Sequence, residues 1–265
     1  MPYTTKLGKT PIIDRDNHPL TFVGEKTVPF GRGLKPRDYK REPFGAAFAA
    51  YSGPMIPRGE WRDRIEERDR TKSRQADFCD ALGIKIKHQS TTNYCWIFAP
   101  TKGVEIARAK QGQRYVSLSP ASVGARIKNF RNQGGWGTEG LQYIVDHGLV
   151  PSDKWPDIAI DRKYDTDVND QLRVKYRITE WWDLKPRSFD QLMSAVLVGV
   201  PVAIGLNWWG HEVLAIDGVV LGSDDYGILI DNSWGTGWGD KGRGVLTQSK
   251  ATPDDAVAPR VAIAA

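Results

Sequence analysis

Four histidines (His18, His88, His147 and His211) and two cysteines (Cys79 and Cys95) limit the chemistry this chain can perform. No His/Cys set has zinc spacing, no GxxxxGK[ST] loop is present to cradle a phosphate, and no serine nucleophile elbow occurs. Neither a metal nor another cofactor is expected. What remains is a thiol and an imidazole far apart in sequence, the pattern of a cysteine nucleophile whose base arrives from another part of the fold. Cys95 lies in HQSTTNYCWIFAP, His211 in GHEVLAI, and Asn232 opens the run NSWGTGWG. Taken singly, each has a plain reading. Cys95 alone is a packed core thiol, Gln89 a surface residue, Asn232 a turn residue, Trp234 and Trp238 core aromatics, and Gly134-Gly135 a loop.

Together, in their order and spacing, these residues resemble the papain family of cysteine proteases. Gln89 stands six residues before Cys95, Trp96 follows it directly, His211 precedes a strand, and NSWGTGWG fills 232–239. The helix start at Leu118-Ser119 and the stretch Gln133-Gly134-Gly135-Trp136 add to a likeness that covers roughly residues 84–247. The resemblance implies an α+β, papain-like two-lobe fold, a helical lobe packed on an antiparallel β-sheet or barrel lobe. It also implies hydrolysis of a polypeptide substrate through Cys95, His211, Asn232 and Gln89. Gly134, Gly135, Trp136, Trp234 and Tyr94 would lie against that substrate.

A physical reason attaches to each residue. A free thiol, with a pKa of about 8.5, is only slightly ionised at neutral pH, whereas a helix N-terminus and a nearby imidazolium favour the thiolate. Cys95 opening a helix meets the first condition, and His211 from the strand lobe would meet the second. Asn232 would fix the imidazole tautomer, and Trp234 would shield that contact from water. The family's oxyanion donors fall on the Gln89 side chain and the Cys95 amide, each worth about 3–4 kcal/mol in the transition state. Gly134 and Gly135 would let an extended backbone approach and pair.

The elements that must position these groups show through their punctuation. Trp61–Leu82 is proline-free and rich in helix formers, so residues 61–83 read as a mostly exposed helix leading into the catalytic part, with Cys79 buried in its apolar end. Ser119-Pro120 starts a helix, Thr138 caps another that Gly148 ends, and Ser188 with Gln191 forms a capping box for FDQLMSAVLV. His147 sits at a helix end, where its charge would meet the dipole. PVAIGL, EVLAIDGVV, GILID and GVLT then read as short strands. Helices first and strands second predict α+β, with 84–150 mainly helical and 151–265 mainly β.

Four departures from the family pattern stand out. Thr92 occupies the position of a cysteine that the family usually bridges, so that bridge cannot form. Bulky Asn93 and Tyr94 precede the nucleophile, and Tyr94 is expected to shape a subsite. Pro100 falls about a turn into the helix and should kink it. Only Asn207-Trp208-Trp209-Gly210 separates a strand from His211, where the family has a longer excursion.

Residues 1–60 match nothing in a mature enzyme of this family and read as an extended, proline-rich arm. It is an inhibitory propeptide, an integral part of the fold, or a contact to a larger assembly. The net charge of +5 is concentrated in residues 1–75, which carry 16 basic and 10 acidic residues. No nucleic-acid-binding motif accompanies this excess, so surface charge is the expectation and nucleic acid is not an expected partner. No apolar run reaches the length of a membrane span and no export signal is evident. With two cysteines, this points to the cytoplasm or the interior of a virus particle or other assembly. Two further functions stay open: a papain-fold structural component with weak or no proteolysis, and a cell-wall peptide hydrolase.

Overall fold

Near-continuous apolar, β-branched runs in the second half of the chain give strands buried on both faces of a sheet. The computed structural model describes residues 8–17, 30–45 and 49–262; His18 and the remaining arm positions lie outside them. The helical part contains α1 (Arg58–Thr71), α2 (Gln75–Leu82), α3 (Cys95–Lys110), the short β1 (Leu118–Ser119), α4 (Ala121–Ile127), α5 (Gly137–Asp146), β2 (Val150–Pro151) and α6 (Asp167–Arg173). There follow β3 (Ile178–Asp183), α7 (Phe189–Leu197), β4 (Val202–Leu206), β5 (His211–Val220), β6 (Tyr226–Asp231), β7 (Arg243–Thr247), α8 (Gln248–Ala251) and β8 (Asp255–Ala262). Strands β1 and β2 pair by themselves, and the other six form one antiparallel sheet in the order β3-β8-β4-β5-β6-β7. The sheet is open, so the two-lobe α+β expectation holds in its sheet form and not as a closed barrel.

Along β5, Leu214 and Ile216 face a core shared with α3, α4 and α5, while Val213 and Ala215 face one shared with α1 and α7. Helix α3 is buried along its whole length except Lys110, as befits the central helix against which the sheet packs. Its buried charges are paired: Lys102 lies 2.6 Å from Asp231, and Glu105 lies 3.0 Å from Lys87. The helix runs on through Pro100 to Lys110. Among the described residues no helix is long and apolar enough to cross a membrane.

The single helix expected over 61–83 is two. Lys72 turns left-handed (φ 55°) after α1, and α2 starts afresh where the Gln75 and Ala76 amides donate to the buried Asp217 carboxylate, both at 2.9 Å. This tertiary anchor outweighs the helix propensity of the intervening residues. Thr138 is not a cap either. It lies inside the first turn of α5, and its hydroxyl donates to Glu42 of the arm at 2.8 Å. Ser188 does cap α7, accepting from the Gln191 amide, but the Gln191 side chain turns instead to the Lys185 amide.

The arm closes both exposed edges of the sheet. Ile12 bridges to Val245 of β7, and Ala50 bridges to Asp183 of β3. Covering an edge satisfies backbone groups that would otherwise invite another strand. Between those two anchors, residues 30–45 of the arm cross the molecule.

Candidate active site

Cys95 is the first residue of a 16-residue helix, and its environment is built by both halves of the molecule. Tyr94 precedes it with non-helical backbone angles (φ −109°, ψ 18°). The expectation that Tyr94 shapes a subsite is corrected here. Its ring enters the helical core beside Ile97, where Gly124 leaves room for it, and its hydroxyl donates to the Arg131 carbonyl at 2.8 Å. A ring of that size finds more apolar surface inward than a cleft wall would offer.

From the sheet, β5 opens with His211, whose Nε2 lies 2.8 Å from Asn232 Oδ1, just beyond the end of β6. The amide oxygen can only accept, so Nε2 carries the hydrogen and Nδ1 becomes the basic nitrogen. Trp234 covers the imidazole with ring centroids 4.7 Å apart, and Trp209 meets it edge-on at 5.1 Å. Trp209 and Trp208 thus fill the short connection where a longer excursion was expected. The backbone amide of Glu212, the residue after His211, faces the Cys95 sulfur. The structure therefore brings the thiol to the start of β5, and His211 to Asn232 and Trp234.

Gln89 is held beside them. Its backbone amide donates to Ser233 O at 2.7 Å, and its side-chain oxygen accepts from Ser233 Oγ. Its side-chain nitrogen donates to Thr92 O and to Gly31 O, each at 2.8 Å. Gly31 belongs to the arm, and this contact identifies what fills the cleft.

Residues Phe30–Lys35 pass directly over the site. Phe30 stacks on Trp234 with centroids 5.0 Å apart and planes 13° apart. The Gly31 amide donates to Ser90 O, and the Trp234 indole also donates to Gly31 O. The Gly33 amide faces the Cys95 sulfur. Gly33 O then accepts from the Gly135 amide, and the Lys35 amide donates to Gly135 O, both at 3.0 Å, which makes a parallel bridge. A methyl group at Gly31 would collide with the Thr92 carbonyl, and one at Gly33 with the Asn93 carbonyl. Gly134 is bare for the same reason, with Gly33 O against it. Trp136 donates to Glu42 of the arm at 2.8 Å. Sequence reasoning missed Gly31, Gly33 and Leu34; the signal was the alternation Gly-Arg-Gly in a proline-rich arm, bare at alternate positions where it crosses another backbone.

Covered in this way, Cys95 is not the resting thiolate that the sequence predicts. Burial pushes its pKa up to about 12, with a smaller contribution from Glu212. The amides of Glu212, Gly33 and Trp96 pull it back only in part. A helix start favours the thiolate, but removal from water costs more while the arm lies on it. Cys79 is also a free, buried thiol, so the two cysteines make no disulfide.

A family model described as papain family cysteine protease matches residues 73–225, more than half of the chain. The chain belongs to the papain family of cysteine proteases. Digestive cysteine proteinase 3 of Homarus americanus is 25% identical over 223 residues, covering 74% of this chain and 63% of that protein. Cathepsin S of Bos taurus is 28% identical over 184 residues, covering 60% and 54%. This papain-family chain thus spans little more than half to three fifths of the length of those relatives. Among solved structures, xylellain from Xylella fastidiosa aligns over 90% of this chain and 99% of its own, with a TM-score of 0.63 and 15% identity. Digestive procathepsin L 3 of Tenebrio molitor aligns over 67% and 66%, with a TM-score of 0.58 and 22% identity. Those two likenesses concern the papain-like fold alone. The run 232–239, with Asn232, lies beyond the stretch the family model matches.

Proposed function

We propose that the chain is a thiol peptidase acting on polypeptides and held shut by its own arm. The observation that carries this reading is the seating of Gly31–Lys35. This segment takes the Gln89 amide, faces the thiol and pairs with Gly135, the three places a substrate backbone would use. It presents an amide to the sulfur, not a carbonyl carbon, so it occupies the site without offering a bond to cut.

With the arm lifted, the thiol regains water and the helix start, and Nδ1 of His211 takes its proton. The thiolate attacks the substrate carbonyl carbon, and the C=O electrons move to oxygen. The oxyanion is received by the Gln89 side chain and the Cys95 amide. As the intermediate collapses, the C–N bond breaks, His211 protonates the departing amine, and a thioester remains on Cys95. Water, deprotonated by His211, attacks the thioester and releases the acid and the thiol. Asn232 keeps the imidazole in the productive tautomer throughout.

The test uses the full chain carrying Gly31→Ala and Gly33→Ala, which cannot seat the arm. Peptide hydrolysis should rise about a hundredfold over the unaltered chain, and Cys95→Ala in that background should abolish it. A folded double variant whose Cys95 is readily alkylated yet cuts no peptide overturns the peptidase reading and leaves the fold as a scaffold.

A further inference from the structure

A carboxamide has two ends of nearly equal size, and only one of them suits His211. Asn232 presents Oδ1 to the ring, which keeps the hydrogen on Nε2 and leaves Nδ1 basic. Turned end for end, the same side chain would present an N–H to Nε2. The ring hydrogen would then move to Nδ1, the nitrogen that has to take the thiol proton. Packing against equal-sized ends cannot make this choice, so it falls to whatever meets the amide nitrogen. Asn232 is 2% exposed, and its Nδ2 completes no hydrogen bond with the protein.

Behind Asn232 lies a cavity of about 10 Å³, the size of one water molecule. Asn232 lines it together with Asp231, Ser233 and Leu214 from the sheet half and Lys102 from α3. Asp231 is the one acid among the lining residues, and two cations hold it. Its Oδ1 accepts from Arg243 Nε at 3.0 Å, and Arg243 is itself gripped by both oxygens of Asp80. Its Oδ2 lies 2.6 Å from Lys102 Nζ, yet neither of those two atoms completes a hydrogen bond. Lys102 stands about two turns along α3 from Cys95, and Asp231 directly precedes Asn232. The pair therefore ties the helix of the thiol to the strand end of the amide. Apolar residues of the same size would be at least as good for stability, because both charges are desolvated.

Building on the peptidase reading, we propose that Asp231, braced by Lys102, is a positioning residue that sets the orientation of Asn232. A water in the cavity accepts from Asn232 Nδ2 and donates to Asp231 Oδ2, which gives each of the stranded atoms a partner. Through that water the carboxylate draws the N–H end of the amide and repels the carbonyl end. Oδ1 is left facing His211, and the base keeps its productive tautomer.

Two measurements test this, the first without any turnover. In the Cys95→Ala chain with its arm unaltered, nitrogen NMR of His211 should show the Nε2–H form in excess. Lys102→Met/Asp231→Leu replaces the pair by apolar side chains. It should bring the two neutral tautomers to comparable populations and speed exchange of the Nε2 hydrogen about tenfold. A tautomer ratio that this replacement leaves unchanged overturns the proposal. In the Gly31→Ala/Gly33→Ala chain, the same replacement should lower kcat about tenfold and leave KM within about twofold, since it acts on the base and not on substrate contacts. With Asn232→Ala also present, it should lower kcat no further. An equal loss with and without Asn232 overturns the role. Absence of all cleavage defeats the peptidase reading instead, and the tautomer measurement then decides the pair. If the double replacement does not fold, Asp231→Asn, which still accepts from Arg243, should move the same two readouts several-fold in the same directions, and no movement overturns the proposal.

Discussion

Cys79 and Cys95 are alike in burial and in the direction of their pKa shift, and differ in what buries them. Both are fully enclosed free thiols, and burial pushes both up to about 12. Cys79 lies in α2, whose first amides are pinned to Asp217 of β5, and its neighbours Asp231, Lys102 and Arg243 belong to the central ion-pair cluster. Its cover is the folded body. Cys95 is covered by six arm residues held through backbone contacts, one aromatic stack and the bridge from Arg37 to Asp183 and Asp255. On the proposed reading, its cover leaves while the body stays folded. An inert thiol and a latent nucleophile are thus separated by the stability of the lid and not by the environment it creates, because local opening and global unfolding differ by many kcal/mol.

The largest effect that could break this comparison is in alkylation. In the unaltered chain both thiols should react slowly. In the Gly31→Ala/Gly33→Ala chain, Cys95 should react about a hundredfold faster and Cys79 no faster, read by mass spectrometry of the labelled peptides. Equal acceleration at both positions would mean that the glycine substitutions loosen the whole body, and the distinction between the two lids would fall.

The site was far more legible in the sequence than its cover. Cys95, His211, Asn232 and Gln89 were legible through the resemblance to the papain family, since read singly each is an ordinary core, turn or surface residue. The strands 202–206, 211–220, 226–231 and 243–247 follow from β-branched runs between turn residues. Strands β3 and β8 escaped notice. The former, ITEWWD, carries acids at its third and sixth positions in place of a continuous β-branched run, and the latter contains Pro259, which argues against a central strand. Pro259 is tolerated because β8 pairs with β4 only over Asp255–Val257; beyond that, its one partner is β3. The arm's path has no periodicity to read, since it is set by where two backbones can touch. The missed break between α1 and α2 likewise depends on Asp217, more than 130 residues later in the chain.

A second, smaller effect sharpens the comparison through pH. Asp255 is raised to about 6 and Glu212 well above the usual range, burial being the first cause for each. Cys95 is raised as well. Each of these groups holds its proton more tightly with the arm seated than it would in water. Their contribution to seating is therefore fully present below the ordinary carboxylate pKa. Asp255's share is lost as pH rises through about 6. Acid should keep the arm down and neutral or alkaline pH should loosen it. Hydrogen exchange of the Lys35 and Gly135 amides, corrected for its intrinsic pH dependence, should report an open population about tenfold larger at pH 7 than at pH 4.5. Cys79 has no such lid, and amides around α2 should show no comparable change. An open population that grows towards acid would reverse the sign and exclude these carboxyls as the controlling groups.

The smallest expected effect acts on the other thiol. Asp217 accepts the Gln75 and Ala76 amides at 2.9 Å, lies 3.4 Å from Arg68, and is raised to about 6 by burial. Its two oxygens serve two amides at once, which a carboxamide cannot do, because only one of its heavy atoms accepts. Asp217→Asn should strand one amide at the start of α2 and cost about 1–2 kcal/mol, seen as a lower denaturation midpoint. The loss falls on the helix that carries Cys79, so labelling of Cys79 should rise several-fold. Cys95, whose lid is untouched, should keep its rate. The same raised pKa predicts that this carboxyl's ionisation weakens the unaltered protein as pH climbs from about 4 to about 6, a slope that Asp217→Asn removes. If the variant accelerates Cys95 as much as Cys79, the arm and α2 open as one unit, and the two thiols share a lid after all.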